Sequence, residues 1–349
     1  MSLAPAQRYQ INTIVPDTWP EISAQFRDLT YEQSLTYAGP AADRIGAEAE
    51  FVTLTDDAGR IMAAACLRIK RVPGLGRGIA WIASGPLVCP KDQPEPDADR
   101  LRAVFAALGQ YAQKTGHILR LRFAAPSGLE AGLVNQIAES EGFGITQKAG
   151  SYRTVLIDCT PDEETLMAAL HGKWRNPLRN ALKAEIKLEH LPLAECTERF
   201  DRLYREVQAA KGFDPDIPPE FYYPLTGPDF THEVLIAHKD GADIAAMTIG
   251  HTGQNAVYLF GATSEVGRRL NAGHFLMWQA TLRCRELGRK CFDLGGIDPD
   301  TNPSVTRFKQ RTGGADVTAC GPYEFKPSGL APALVGTAEA LHSRLKGRK

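Results

Sequence analysis

The chain has 349 residues, of which 43% are hydrophobic and 23% charged, with a formal net charge of −1. These values describe a soluble globular protein of about two domains, with no global field to recruit nucleic acid and only local patches left for that task. The seven cysteines are scattered, without a C-x-x-C pair or a Cys/His cluster at ligand spacing, which argues for reduced thiols and no metal site. The opening residues lack the charged and apolar regions of a signal peptide, and no run of 18 apolar residues is present. A cytoplasmic protein without an integral membrane segment is expected.

In chain order, 20–37 reads as a helix on the spacing of Trp19, Ile22, Phe26 and Leu29. The period then changes to that of strands at 51–55 and 61–70, joined by the turn Asp56-Asp57-Ala58-Gly59-Arg60, and a third strand covers 79–88. Gly74-x-Gly76-x-Gly78 invites a phosphate-loop reading, but it lies between strands and opens no helix, so a hairpin loop is expected. A proline-rich link at 90–99 leads to a helix at 100–114, a strand at 117–123, a helix at 129–140 and a strand at 152–158.

Thr160-Pro161-Asp162-Glu163-Glu164 is a helix start, with a capping threonine, proline in the first position and acids in the first turn. The helical pair behind it carries Lys173, Trp174, Arg175, Arg179 and Lys183. A strand at 186–190, a helix at 193–211 and a proline-rich turn at 215–224 precede three strands at 233–238, 244–251 and 256–263. A helix at 272–287, a strand opening at Cys291 and a last amphipathic helix at 329–346 complete the chain. The second half therefore repeats the element order of the first. The expected fold is α+β, with two tandem units at 1–158 (completed by 318–349) and 159–317, each a mixed, mostly antiparallel sheet flanked by helices.

Asp293-Leu294-Gly295-Gly296 followed by Phe308-Lys309 and Gly313-Gly314 reads as a strand, a Gly-Gly exit and a helical turn carrying one lysine. Glycine lets backbone approach a ligand closely, and a lysine placed there can stabilise charge in acyl chemistry. A plain strand–turn–helix corner with a solvated lysine fits the same residues. Arg175 and Arg179 share a helix face and suit phosphate contact, or else form a solvated surface with Trp174 in the core. Tyr258 alternates with Val257 and Leu259, pointing either into a cleft or into the core. No H-E-x-x-H or G-x-S-x-G pattern supports a zinc or serine hydrolase.

The turn from Ser264 to Gly273 resembles the pyrophosphate loop of the Gcn5-related N-acetyltransferases, where an R-x-x-G-x-G/A frame offers N–H groups to coenzyme A. Here Arg268, Asn271 and Gly273 keep the frame with asparagine in the central place, and these three would hold the cofactor if acyl-coenzyme A is used. The order Lys173-Trp174-Arg175-Asn176, Lys211-Gly212-Phe213, Val257-Tyr258-Leu259-Phe260-Gly261-Ala262, Asp293-Leu294-Gly295-Gly296 and Phe308-Lys309 resembles the Fem family, the peptidoglycan-bridge aminoacyltransferases. Gln33-Ser34 is the matching piece in the first half.

That resemblance implies two Gcn5-related acyltransferase-like units with the acceptor in the cleft between them. Aminoacyl-tRNA would be the donor, no cofactor would be needed, and the acceptor would be a nucleotide-linked or lipid-linked cell-wall precursor, the latter bringing peripheral membrane contact. It makes Lys309 the charge-stabilising group and Phe308 a pocket wall, with Tyr258 at the acceptor and Arg175 and Arg179 near RNA or phosphate. The family's acceptor-phosphate arginine falls at Asp216, with Tyr222 the nearest aromatic, and its N-terminal lysine has Arg44 as a loose substitute. An acyl-coenzyme A-dependent N-acyltransferase of envelope polysaccharide, and a non-catalytic binding protein of the same fold, remain open alternatives.

Overall fold

The structure, a computed structural model, describes residues 8–211 and 217–346. Gly212, Phe213 and Asp216, which entered the family resemblance, lie outside the described residues. The chain divides into two compact units, one of residues 1–151 with 318–349 and one of residues 152–317.

The first unit opens with β1 (Gln10–Ile14), α1 (Trp19–Ser23), α2 (Leu35–Asp43), β2 (Glu48–Thr55), β3 (Ile61–Arg71) and β4 (Gly78–Ile82). It continues through α3 (Ala98–Thr115), β5 (Ile118–Leu121), α4 (Ala131–Ser140) and β6 (Gly144–Ile145). The single helix expected at 20–37 is broken. Between α1 and α2 the buried Asp28 accepts backbone N–H groups from Val88 and Cys89, and Ser34 caps α2 by accepting from Tyr37 N. Gln33, fully buried, bonds Cys66 N, Cys66 O and Ala83 O, so the Gln33-Ser34 pair pins a helix start to the sheet. A side chain that satisfies strand backbone has to leave its own helix register. The glycine-rich stretch at 73–78 joins antiparallel β3 and β4.

The second unit contains β7 (Arg153–Asp158), α5 (Glu163–Ala169), α6 (Gly172–Lys183), β8 (Lys187–Pro192), α7 (Leu193–Lys211), β9 (Thr231–Lys239), β10 (Ala242–Thr252) and β11 (Asn255–Thr263). Then come α8 (Glu265–Arg269), α9 (Ala272–Glu286), β12 (Cys291–Asp293), α10 (Pro303–Gln310) and β13 (Ala315–Thr318). The chain returns to the first unit with β14 (Tyr323–Phe325) and α11 (Leu330–Lys346).

The two sheets run β1-β2-β3-β4-β5-β14-β6 and β8-β9-β10-β11-β12-β7-β13. Each has four consecutive strands paired antiparallel, then a parallel pair, β4 with β5 and β11 with β12. A helix, α3 or α9, links the parallel pair as its crossover, as parallel pairing requires. The expected boundary at 158 moves to 151. Strand β7 pairs with β12, Phe292 opposite Ile157, and the corresponding place beside β5 is taken by β14, from beyond the second unit. The chain thus crosses into the second sheet before its helices form and re-enters the first afterwards. No helix among the described residues is long and apolar enough to cross a membrane.

Candidate functional site

In the second unit, β12 pairs with β11 only through Cys291–Asp293 opposite Asn255–Val257, while β11 continues to Thr263. At that point the register of β11 with β10 slips, leaving Leu259 without a partner between Tyr258 and Phe260. A bulge bends a strand and re-aims its side chains. The chain leaving β12 turns through Gly295 at φ +74°, where a Cβ would stand 2.9 Å from the Tyr258 carbonyl oxygen. Glycine is thus required by the backbone of Tyr258, and the close approach expected toward a ligand is made to the chain itself.

The carbonyls of Gly295 and Gly296 converge on one group. Lys309, from α10, donates its Nζ to Gly295 O at 3.2 Å and Gly296 O at 3.0 Å. The ammonium also lies 5.2 Å from the Tyr258 ring centroid, a cation–π contact. Pro303 starts α10, and Thr312 closes it by donating N–H and hydroxyl to Lys309 O, which fixes the lysine's backbone. Lys309 is therefore a buried group, 6% exposed, and the solvated-corner reading is wrong. An ammonium has three N–H donors, so one remains for a ligand.

Burial pulls the Lys309 pKa from 10.5 down to about 8, against the opposing pull of Asp293. Asp293 itself is held above the usual carboxylate range by burial, although the Thr154 hydroxyl, Gly295 N and the Tyr152 hydroxyl all donate to it. The lysine is thus cationic at neutral pH but weakly solvated, the condition under which a charge acts most strongly on a nearby dipole.

Lys309, Phe308 and Tyr258 line a cavity of about 300 Å3 together with Arg268, Asn271 and Gly273. The Tyr258 ring lies against Gly261, where a Cβ would meet its hydroxyl, and this hydroxyl has no protein partner among the described residues. Ser264 caps the short α8, and Asn271, at φ 57° and ψ 33°, makes the left-handed link into α9 without a side-chain cap bond. Asparagine tolerates that conformation, which explains its place where the related frame has glycine. In the first unit the corresponding crossover helix, α3, is capped by the carboxylate of Asp97 bonded to Arg100 N. An acid at that cap repels anions, so of the two crossover helices α9 is the one whose N-terminus is left without a side-chain cap.

His274, which the sequence did not single out, lines the same cavity. Its ring stands 4.9 Å from both Trp174 and Phe308, and burial lowers its pKa to about 4, leaving a neutral imidazole. Its one sequence signal is its place directly after Gly273 in the first turn of α9.

The remaining expected residues lie elsewhere. Arg175 turns inward and donates to Ala168 O and Leu170 O at 2.7 Å each, holding the end of α5, so it is no free phosphate ligand. Arg179 is exposed on α6 and outside the cavity lining. Tyr222 is buried and packs edge-on against Phe260 at 4.9 Å, a core role in place of the expected ligand contact. Arg44 is exposed at the C-terminal cap of α2 in the first unit. Among the described residues no three His, Cys, Asp or Glu side chains converge on a metal-sized site.

Residues 172–310 match the family model described as the acetyltransferase (GNAT) domain. The crystal structure of FemX superposes with a TM-score of 0.77 at 15% identity, covering 94% of this chain and 99% of that one. A conserved protein from Bacteroides thetaiotaomicron superposes at 0.57 with 12% identity, covering 90% and 98%. These likenesses, with the two sheets above, define a tandem Gcn5-related N-acetyltransferase fold. In sequence, a lipid II:glycine glycyltransferase of Staphylococcus haemolyticus is 23% identical over 137 residues, 39% of this chain and 32% of that protein. The match thus spans about a third of the relative's length. In fold the chain is thus similar to FemX, the architecture that the resemblance read from its motifs implies.

Proposed function

We propose that the chain is an aminoacyltransferase that moves an amino acid from aminoacyl-tRNA to an amine of a peptidoglycan-type precursor. The observation that carries this reading is the buried Lys309 ammonium, clamped by two carbonyls with a third N–H left for a reacting carbonyl. The lipid II:glycine glycyltransferase similar to residues of this chain supports the acceptor class.

The acceptor amine attacks the ester carbonyl, and negative charge gathers on its oxygen beside Lys309. Collapse of the tetrahedral intermediate breaks the bond to the ribose oxygen, and the proton lost by the amine ends on that oxygen. The ester is already activated, so positioning and one preorganised cation carry the step without a covalent intermediate. Phe308 and the neutral His274 wall the cavity and keep its dielectric low. Tyr258, with its unpartnered hydroxyl, offers a polar contact to the acceptor.

A second reading, acyl-coenzyme A as donor, is favoured by one observation: Arg268, Asn271 and Gly273 line the same cavity as Lys309. Calorimetric titration with charged tRNA and with acetyl-coenzyme A separates the two. Tight coenzyme binding without tRNA binding would sink the tRNA donor. Transfer of a radiolabelled amino acid to a precursor, abolished by Lys309→Ala, is the expected result. An unchanged rate in that variant would leave only a non-catalytic role.

A further inference from the structure

Phe308 and His274 belong to two hollows. Besides the Lys309 cavity they line a second cleft of about 260 Å3, with Trp174 in its floor and Lys173, Arg307 and Arg311 around it. The three cations come from two distant parts of the chain. Lys173 stands in the first turn of α6, Arg307 on α10 and Arg311 just past its end. A backbone bond from His171 N to Arg311 O, 3.1 Å, ties the two segments together. Lys173 and Arg307 are exposed and Arg311 is half-buried. No carboxylate lines the cleft, and none of the three cations has an ion-pair or hydrogen-bonded side-chain partner among the described residues.

Elsewhere in the second unit, Arg153, Arg199 and Arg283 are each paired with an acid, Asp316, Asp243 and Glu233 respectively. Charged surfaces ordinarily mix signs, and three converging cations without a counter-charge raise the local potential for an anion. Two of them are arginines, whose planar forks match phosphate oxygens, and Phe308 beside them presents a ring on which a base can stack.

We infer that this cleft binds a phosphodiester of the donor RNA next to the nucleotide whose ester faces Lys309, with Phe308 and His274 as the wall between phosphate and reacting carbonyl. The inference rests on the reading of an RNA-borne donor and adds to it the place where the RNA backbone is held. It gives Arg307 and Arg311 the part that the sequence suggested for Arg175, which is engaged with the end of α5.

The test uses the full chain and a fluorescent, uncharged RNA minihelix with a single-stranded 3′ end, titrated by anisotropy between 50 and 200 mM KCl. In the triple variant Lys173→Gln, Arg307→Gln, Arg311→Gln, binding weakens at least tenfold. The slope of log K against log salt becomes shallower by about 2, from about 0.7 per single-strand phosphate neutralised. Lys290→Gln, which removes an exposed cation outside the cleft, leaves both unchanged. In transfer assays the triple variant raises KM for charged tRNA and keeps kcat. Should the triple variant fail to fold, Arg307→Gln alone flattens the slope by about 0.7. RNA binding by the triple variant equal to that of the original chain overturns the cleft, while Lys309-dependent transfer from tRNA would still stand. Absence of RNA binding to the original chain, with coenzyme A bound and lost in the triple variant, overturns the RNA and assigns the cleft to a coenzyme's phosphates. Loss of Lys309-dependent transfer from tRNA in an assay with the original chain would refute the donor reading itself.

Discussion

Replacing Lys309 by methionine separates the cost of its charge from the rest of its packing. In the folded chain its pKa is about 8, against 10.5 for the exposed group. At about 1.4 kcal/mol for each pH unit, folding disfavours the ammonium by about 3 kcal/mol below pH 8. Between pH 8 and 10.5 the unfolded chain keeps the proton that the folded chain has lost. The unfolded state then binds more protons, and stability rises with pH over that window. Methionine has no proton to lose, so its variant lacks this rise. The absolute stability difference also contains the bonds to Gly295 O and Gly296 O and the contact with Tyr258, which act in the opposite direction. Those contributions also weaken as the amine is neutralised, and they are already contained in the folded-state pKa. Urea unfolding followed by tryptophan fluorescence at pH 7, 8, 9 and 10 should show the original chain gaining about 2.5 kcal/mol on the variant from end to end. Other titrating groups are common to both chains and cancel in the difference. A difference that stays flat within about 0.5 kcal/mol would refute a buried, depressed lysine, since additivity errors are about that size.

Asp293→Asn removes the carboxylate that favours the lysine's charge, so the Lys309 pKa drops further and the alkaline limb of the transfer rate moves to lower pH; a limb that stays in place would show that Asp293 does not act on the lysine. Gly295→Ala forces a left-handed alanine and a Cβ 2.9 Å from Tyr258 O. It should cost about 2 kcal/mol or more in urea unfolding and disturb both Tyr258 and Lys309, whereas an alanine variant of unchanged stability contradicts that geometry. Arg175→Met deletes the bonds to Ala168 O and Leu170 O and should cost about 1 to 3 kcal/mol, while Arg179→Gln, exposed on the same helix, should stay within about 0.5. Equal stabilities for these two variants would show that Arg175 does not hold the end of α5.

The repeated order of helices, antiparallel strands, helix and strand was legible because hydrophobic period and turn residues act over a few neighbours. The strands β8 to β11, the start of α10 at Pro303 and the cap of α8 at Ser264 depend on local chemistry of that kind. The helix expected at 20–37 failed for the opposite reason. The partners of Asp28 are Val88 and Cys89, some 60 residues away, and no local pattern announces them. The short strands β1, β6, β13 and β14 likewise take their register from neighbouring strands more than from their own residues.

The same division runs through the site. Lys309, Phe308 and Tyr258 could be nominated from the family resemblance of their motifs, as could the frame of Arg268, Asn271 and Gly273. What the sequence determined by itself was the kinds of group available and the elements that carry them. Only the tertiary structure decided that β7 belongs to the second sheet, that Arg175 turns inward, and that His274 joins Phe308 at the cavity wall. It alone brought the carbonyls of Gly295 and Gly296 onto the lysine and set Lys173 beside Arg307 and Arg311. Burial and pairing between distant residues set a charge's pKa and its free hydrogen bonds, and these exist only once the chain has closed on itself.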